Sequence, residues 1–182
     1  MTKWFVAMVA AVSLFFSQTV CADAKAQWKS EQTAHLAPLR GTSYRNGEYG
    51  FSVVIPRGVQ AYKARPPAPN HGLRLILGHQ RMIEVSAVFD AAEYGSTKIQ
   101  LDQSINSEQP DHVERSPVEL DSKPAEKAVL TKGNAVMIIV ARRRDDGGIL
   151  YELELTTTPA ALAKDTVVFD RLVAQFREKK RD

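Results

Sequence analysis

A single cysteine and the lack of any apolar run long enough to span a membrane set the first limits on this 182-residue chain. Its longest apolar stretch, Trp4 to Phe16, has about 13 residues, whereas a membrane-spanning helix needs ~20. The 24 Lys plus Arg are nearly balanced by 21 Asp plus Glu, so a strongly basic surface for nucleic acid is not expected. No catalytic or metal-binding motif and no internal repeat are present in the sequence. A disulfide framework and a thiolate metal site are therefore excluded.

The chain begins with the composition of a secretory signal peptide. Lys3 provides a short positive region, the apolar stretch follows, and Val20 and Ala22 place small residues where signal peptidase recognises them. We therefore predict a signal peptide over residues 1–22. The protein is expected to be exported, to the periplasm of a bacterial envelope or to the extracellular space.

Cys21 raises an alternative, because a bacterial lipoprotein signal also ends at a cysteine, which then becomes lipid-modified. Gln18, Thr19 and Val20 lack the Leu and the final Gly, Ala or Ser that this signal usually carries, which argues against a lipid anchor at Cys21. Cleavage after Ala22 would leave a mature chain without cysteine. With ~160 residues, that chain can be held together by its core alone.

Composition divides the rest of the chain into three parts. Residues 23–42 are polar and weakly patterned, so a flexible lead-in is predicted. Residues 43–178 carry the apolar periodicity of a single folded domain. Residues 179–182 form a basic tail that is expected to complement the negative pole of a preceding helix.

Alternating apolar residues predict strands in the first half of the domain. A first hairpin is expected around Asn46-Gly47, with its second strand ending at Pro56. A second hairpin is expected over 73–89, with its turn at Gly78 to Gln80. Between the hairpins, Arg57 to Gly72 contains three prolines and is predicted to be a long loop.

The second half of the domain combines strands with two helices. Ser96 suits a helix N-cap, so a short, half-buried helix is predicted from there to about Pro110. Extended segments follow, and Ala135 to Ala141 is predicted to be a central strand because both of its faces are apolar. After Pro159 an amphipathic helix is expected to dock on the sheet. The fold class is therefore α+β, a mostly antiparallel sheet of hairpins and a meander flanked by helices, with the C-terminal amphipathic helix packed on it.

Two segments of the sequence carry a resemblance to a known family. The first comprises Tyr44-Arg45-Asn46, Gly50-Phe51-Ser52-Val53 and Ile55-Pro56. The second runs from Tyr151-Glu152-Leu153 through Asp165 to Phe169, Leu172-Val173 and Phe176. In these segments the chain resembles the PsbP-like domains, a family that includes the extrinsic photosystem II subunit and the Ran-binding Mog protein.

The resemblance implies an antiparallel sheet flanked by helices and, mostly, functions without catalysis, such as photosystem assembly, binding of a small GTPase, or chaperoning of type VI secretion effectors. It supplies no family-wide active site. We therefore expect a non-enzymatic, exported accessory domain that engages an envelope or secreted protein partner, without cofactor, metal ion, nucleic acid or membrane span. The alternatives are a small hydrolase or a small-ligand carrier that uses the loop from Pro66 to Gly72 and the neighbouring hairpin.

The proline loop supplies the first candidate binding residues, Arg65, Asn70 and His71. His71 can act as a ligand or a general base in a loop stiffened by prolines, or it can simply form the turn into the next strand. A hydrolase would pair His71 with Glu84 or Asp90. A carrier cavity would instead be lined by three apolar residues, Val54, Tyr62 and Phe89.

Arg142 and Arg144 are the second pair of candidate binding residues. Together with Arg143 they precede a return strand in which Glu152 and Glu154 lie about 7 Å apart on one face. This arrangement can form an anion site beside a pair of carboxylates, although the sequence provides no evident apolar pocket to separate their pKa values. Ordinary cross-strand pairing on a solvent-exposed face is the favoured interpretation.

Overall fold

The computed structural model describes residues 27–64, 72–90, 95–146 and 148–179. Contacts divide the chain into two units, Met1–Ala34 and His35–Asp182. In the first unit, residues 27–33 form a helix, α1. The second unit contains the sheets and two further helices. Within the described residues, no helix is both long and apolar enough to cross a membrane.

The described part of the second unit has eleven strands and two helices. The strands are β1 (Leu36–Pro38), β2 (Ser43–Asn46), β3 (Phe51–Val54), β4 (Gln60–Ala64), β5 (Gly72–Gly78), β6 (Arg81–Phe89), β7 (His112–Leu120), β8 (Lys123–Lys132), β9 (Ala135–Arg143), β10 (Ile149–Thr157) and β11 (Arg177–Glu178). The helices are α2 (Thr97–Glu108) and α3 (Leu162–Gln175).

Eight of these strands form one large sheet in the order β1-β4-β5-β6-β10-β9-β8-β7, and the remaining three form a small sheet in the order β11-β3-β2. Neighbouring strands are antiparallel in both sheets. Most neighbours are consecutive hairpins, and short turns can join only antiparallel strands. The predicted α+β class with a mostly antiparallel sheet is therefore confirmed.

The main core lies between the large sheet, the small sheet and α3. Phe169 from α3 and Phe176 just after it are completely buried in this core, and burying a side chain of this size contributes about 1.5–3 kcal/mol. Asp165, in the first turn of α3, accepts hydrogen bonds from the Thr157 hydroxyl at 2.6 Å and from Arg81 Nη2 at 3.2 Å. The predicted docking of the C-terminal helix on the sheet is confirmed.

A second, smaller cluster packs α2 on the other face of the large sheet. Leu101 and Ile105 of the helix contact apolar residues of β8 and β9, among them Ile139. Ser96 caps the helix by accepting a hydrogen bond from the Ile99 amide at 3.3 Å, which confirms the predicted N-cap. Because α2 lies chiefly on β8 and β9, the same face of β6 and β10 is only partly covered.

Three stretches differ from the predicted organisation. Leu36–Pro38 is an edge strand paired with β4, so the large sheet begins before Ser43. Gln60–Ala64 is a strand inside the stretch predicted to be a loop. The C-terminal helix ends at Gln175 without basic residues in its last turn. Arg177 in β11 instead donates hydrogen bonds to the carbonyl groups at the helix end.

Candidate functional site

The candidate site lies on the α2 side of the large sheet, where β6 and β10 pair. Alternate residues of both strands point into the main core, so the residues between them face α2. The register places Glu84 opposite Glu154 and Ser86 opposite Glu152. Side chains opposite each other in antiparallel strands have Cβ atoms about 4.5–5.5 Å apart. The two strands therefore gather three carboxylates in one patch.

The three carboxylates have different partners. Glu84 is paired with Arg74 on β5, whose Nε lies 3.0 Å from the Glu84 Oε2. Glu152 accepts a hydrogen bond at 2.7 Å from the hydroxyl of Ser104, which α2 positions above the sheet. Glu154 accepts one from a hydroxyl of its own strand. Arginine thus neutralises one carboxylate of the patch, and hydroxyls hold the other two.

Burial raises the pKa of both carboxyls on β10. The pKa of Glu154 rises from 4.5 to about 7, mainly because burial removes water, with repulsion from Glu152 and Glu84 adding to the effect. The Thr156 hydroxyl, 3.0 Å from Glu154 Oε1, opposes this rise. Burial also raises the pKa of Glu152, against the opposing hydrogen bond from α2. Glu154 is therefore a carboxyl that can gain or lose a proton near neutral pH.

A cavity of about 320 Å³ opens between α2 and these strands. Six of its eight lining residues are polar, namely Ser86, Gln100, Gln103, Ser104, Ser107 and Glu152, and the other two are Val88 and Leu150. Gln100 is only 7% exposed, and its Oε1 is buried without a hydrogen-bond partner. An unsatisfied buried acceptor costs about 1–3 kcal/mol, so this position favours a donor from outside. We call this cavity, together with Glu84 and Glu154 beside it, the acidic groove.

The acidic groove offers hydrogen-bond acceptors and carboxyl chemistry. Among the residues that the structure describes, no group of three or more His, Cys, Asp or Glu side chains could hold a metal ion. The raised pKa values do permit one protonated and one ionised carboxyl on β10. The burial that raises these two pKa values, which the sequence did not reveal, comes from the packing of α2 and the sheet around the carboxyls.

Arg142 does not face the glutamates of β10. The register places Arg142 opposite Tyr151, whereas Glu152 lies opposite Ala141. Arg142 is also only 1% exposed. Arg143 does lie on the face of the glutamates, but its Nε pairs with Asp90 Oδ2 at 2.8 Å. The favoured interpretation of the sequence, cross-strand pairing of the arginines with Glu152 and Glu154 on a solvent-exposed face, is therefore wrong. Arg142 cannot pair with the glutamates because it points to the side of the large sheet that β11 closes, where it contacts Glu178.

Glu178 on β11 is a shared partner of Arg142 and Arg144. Arg142 Nη1 contacts Glu178 Oε2, and Arg144 Nε lies 3.4 Å from Glu178 Oε1. Gly50 lets the C-terminal strand approach closely, because its φ is +64° and a Cβ there would come within 2.8 Å of the Lys179 carbonyl oxygen. We call Arg142, Arg144 and Glu178 the C-terminal charge cluster. It ties β11 to the large sheet, and a binding role for its arginines stays a prediction.

The predicted site in the proline loop falls outside the described residues. This applies to Arg65, Asn70 and His71, as it does to Cys21 near the start of the chain. Their assigned roles therefore stay predictions. The described residue that follows the loop, Gly72, begins β5 and lines a second cavity of about 170 Å³ at the end of the β5–β6 hairpin.

The acidic residues proposed for a hydrolase are paired with arginines, and the apolar residues proposed for a carrier line neither of the two cavities. Glu84 and Asp90, the acidic partners expected in a hydrolase, are each paired with an arginine. Val54 and Phe89, expected in a carrier cavity, are 43% and 46% exposed. Neither they nor Tyr62 line the acidic groove or the cavity beside Gly72.

The helix side of the acidic groove was not predicted from the sequence. Gln100, Ser104 and Ser107 recur at helical spacing, which places them on one side of α2. This polar stripe is visible in the sequence and is the pattern from which the groove lining could have been predicted. On a half-buried helix, however, such a stripe normally indicates a solvated face, so it does not by itself distinguish a cavity lining from a surface.

Two solved structures are similar to this chain. The solution structure of cyanobacterial PsbP (CyanoP) from Synechocystis sp. is 12% identical to this chain, with 80% of this chain and 94% of that chain covered and a TM-score of 0.51. The Ran-binding protein Mog1p of Saccharomyces cerevisiae is 10% identical, with 79% and 96% covered and a TM-score of 0.44. No protein-family model and no curated protein matches the sequence. The chain has a PsbP-like fold, as the resemblance in its sequence implied.

Proposed function

We propose that this chain is an exported, non-catalytic accessory domain that binds a protein partner in the bacterial envelope. The half-covered large sheet carries the proposal. One face packs against α3 and the small sheet, whereas α2 lies chiefly on β8 and β9 of the other face. The partly exposed area between α2 and β5 contains the acidic groove. Charge of one sign on such a surface favours a partner of the opposite sign, so the contacting surface of the partner is expected to be basic.

Three further observations support this function. The signal-peptide composition of residues 1–22 supports export. The PsbP-like resemblance of the sequence implies binding functions mostly without catalysis. The acidic residues considered for a hydrolase, Glu84 and Asp90, are engaged by arginines, which leaves neither of them free to serve as a base without breaking an ion pair.

Co-purification of the tagged full chain from an envelope extract of its own host tests the proposal. Gln103→Arg places a long cationic side chain at an exposed position that lines the groove, and it should reduce recovery of the partner. Asn106→Arg is the matched control, because it adds the same side chain at an exposed position of α2 that does not line the groove. The proposal is wrong if the wild type enriches no protein, or if both variants retain it equally.

A further inference from the structure

We propose that the acidic groove is a binding site for an organic cation, namely an alkylguanidinium or alkylammonium group. This inference concerns the ligand chemistry of the groove and does not require the partner-binding function. It rests on three features: acceptors that lack donors, carboxylates that lack cations, and an apolar wall beside both.

The first feature is the set of acceptors that line the groove. Gln100 is 93% buried, and its Oε1 has no hydrogen-bond partner. Glu152 uses one carboxylate oxygen for the Ser104 hydroxyl, and its other oxygen keeps capacity for further hydrogen bonds. Ammonium and guanidinium groups are donors only, with three and five N–H groups respectively. They match a lining in which acceptors outnumber donors.

The second feature is uncompensated negative charge. Arg74 is paired with Glu84, whereas the hydrogen bonds of Glu152 and Glu154 come from hydroxyl groups. Hydrogen bonds between ionised partners are roughly twice as strong as neutral ones, and a partly buried site screens them less than bulk water does. A bound cation would therefore stabilise the ionised form of both carboxyls on β10.

The third feature is the size and shape of the groove. Its volume of about 320 Å³ lies at the small end of the range of roughly 300–1,000 Å³ that is typical of ligand pockets. Val88 and Leu150 form the apolar part of its lining. A short alkyl chain can pack on these two side chains while its cationic end reaches Glu152 and Gln100.

The cation can come from two sources, a free small molecule or the side chain of Arg or Lys in a bound protein. Both present the same alkyl chain and the same N–H donors, so the groove recognises their common chemistry. They differ in the backbone that a protein side chain carries. Two probes separate them: n-butylguanidinium represents the free ligand, and N-acetyl-arginine methylamide represents the side chain attached to a backbone.

The test is titration of the purified full chain by calorimetry and by amide NMR shifts at pH 8, above the pKa of about 7 of Glu154. n-Butylguanidinium should bind saturably, with shifts concentrated in α2, β6 and β10. N-Butylurea has nearly the same shape and N–H donors without the charge, and it should bind at least about 10-fold more weakly. Binding by both cationic probes indicates a protein side chain as the source, and binding by n-butylguanidinium alone indicates a free ligand.

Variants of the groove assign the binding to its residues. Glu152→Gln keeps the shape but removes the charge, and it should weaken n-butylguanidinium binding by about 10- to 100-fold. Gln100→Leu should weaken it by roughly 10-fold. Asn106→Ala, on the same helix outside the groove, should leave it unchanged. The proposal is overturned if n-butylguanidinium binds more weakly than about 10 mM, if n-butylurea binds equally well, or if Glu152→Gln has no effect.

Discussion

Replacing Glu154 by Gln is expected to stabilise the protein above pH 7 and to matter much less at pH 5. The pKa of this carboxyl rises from its ordinary value of 4.5 to about 7 in the folded protein. The folded state therefore binds the proton more tightly than the unfolded state, and stability falls as the pH rises between the two values. Because each pH unit corresponds to about 1.4 kcal/mol, ionised Glu154 destabilises the folded state by about 3 kcal/mol once the pH is well above 7.

The measurement compares the free energies of unfolding of the wild type and Glu154→Gln in urea at pH 5 and pH 8.5. The substitution should raise the free energy of unfolding by about 2 to 3 kcal/mol more at pH 8.5 than at pH 5. A small gain remains at pH 5, because the carboxyl of the unfolded wild type is already partly ionised there. Gln keeps the shape of the side chain and can still accept the hydrogen bond from Thr156. Glu119→Gln is the control, because it makes the same chemical change at a side chain that is exposed on β7. A Glu154→Gln effect that is equal at both pH values would refute the reasoning.

Two other substitutions test the packing that the site depends on. Phe169→Asp places a charge in the main core and is expected to prevent folding, which circular dichroism would show as the loss of cooperative unfolding. Val167→Asp is the control and should fold, because Val167 is 58% exposed on the same helix. A soluble Phe169→Asp variant that unfolds cooperatively would contradict the docking of α3. Glu178→Gln removes the carboxylate that Arg142 and Arg144 share. It should lower the free energy of unfolding in urea by about 1–3 kcal/mol, because Asp145 and Asp146 still pair with the two arginines. A loss below about 1 kcal/mol would mean that the C-terminal charge cluster does not hold β11.

The hairpins could be predicted from the sequence because their strands have one buried face. In β5 and β6, for example, Leu73, Leu75, Ile83 and Val85 alternate with less buried residues and all point into the main core, which produces a period of two. Of the strands that were missed, β1 is the edge strand of the large sheet, β4 lies next to it, and β11 is a two-residue edge strand of the small sheet. Among the residues of β4 whose burial the structure describes, 60–63, only Ala61 is in the buried core. An edge strand is held largely by backbone hydrogen bonds to one neighbour, and these leave no apolar pattern in the sequence.

The candidate site was predictable only in part for a related reason. The alternation in β10 correctly predicted that Glu152 and Glu154 share one face of the sheet. It could not predict what lies above that face, because the packing of α2 depends on contacts between distant parts of the chain, such as Ser104 with Glu152. A helix above the glutamates changes them from solvated charges into carboxyls with raised pKa values.

The C-terminal charge cluster and the acidic groove differ in where the opposite charge comes from. In the C-terminal charge cluster the chain supplies it, because Glu178 contacts both Arg142 and Arg144. An anion bound there would have to displace a carboxylate that the same chain holds in place at high effective concentration. In the acidic groove, Glu152 accepts a hydrogen bond from the Ser104 hydroxyl and the Gln100 acceptor is unsatisfied. An external cation would therefore add interactions there without displacing any. Ligand binding and stability should therefore depend on different residues. Changes in the C-terminal charge cluster should alter stability and leave cation binding intact. Glu152→Gln should instead abolish most of the binding in a protein that still folds.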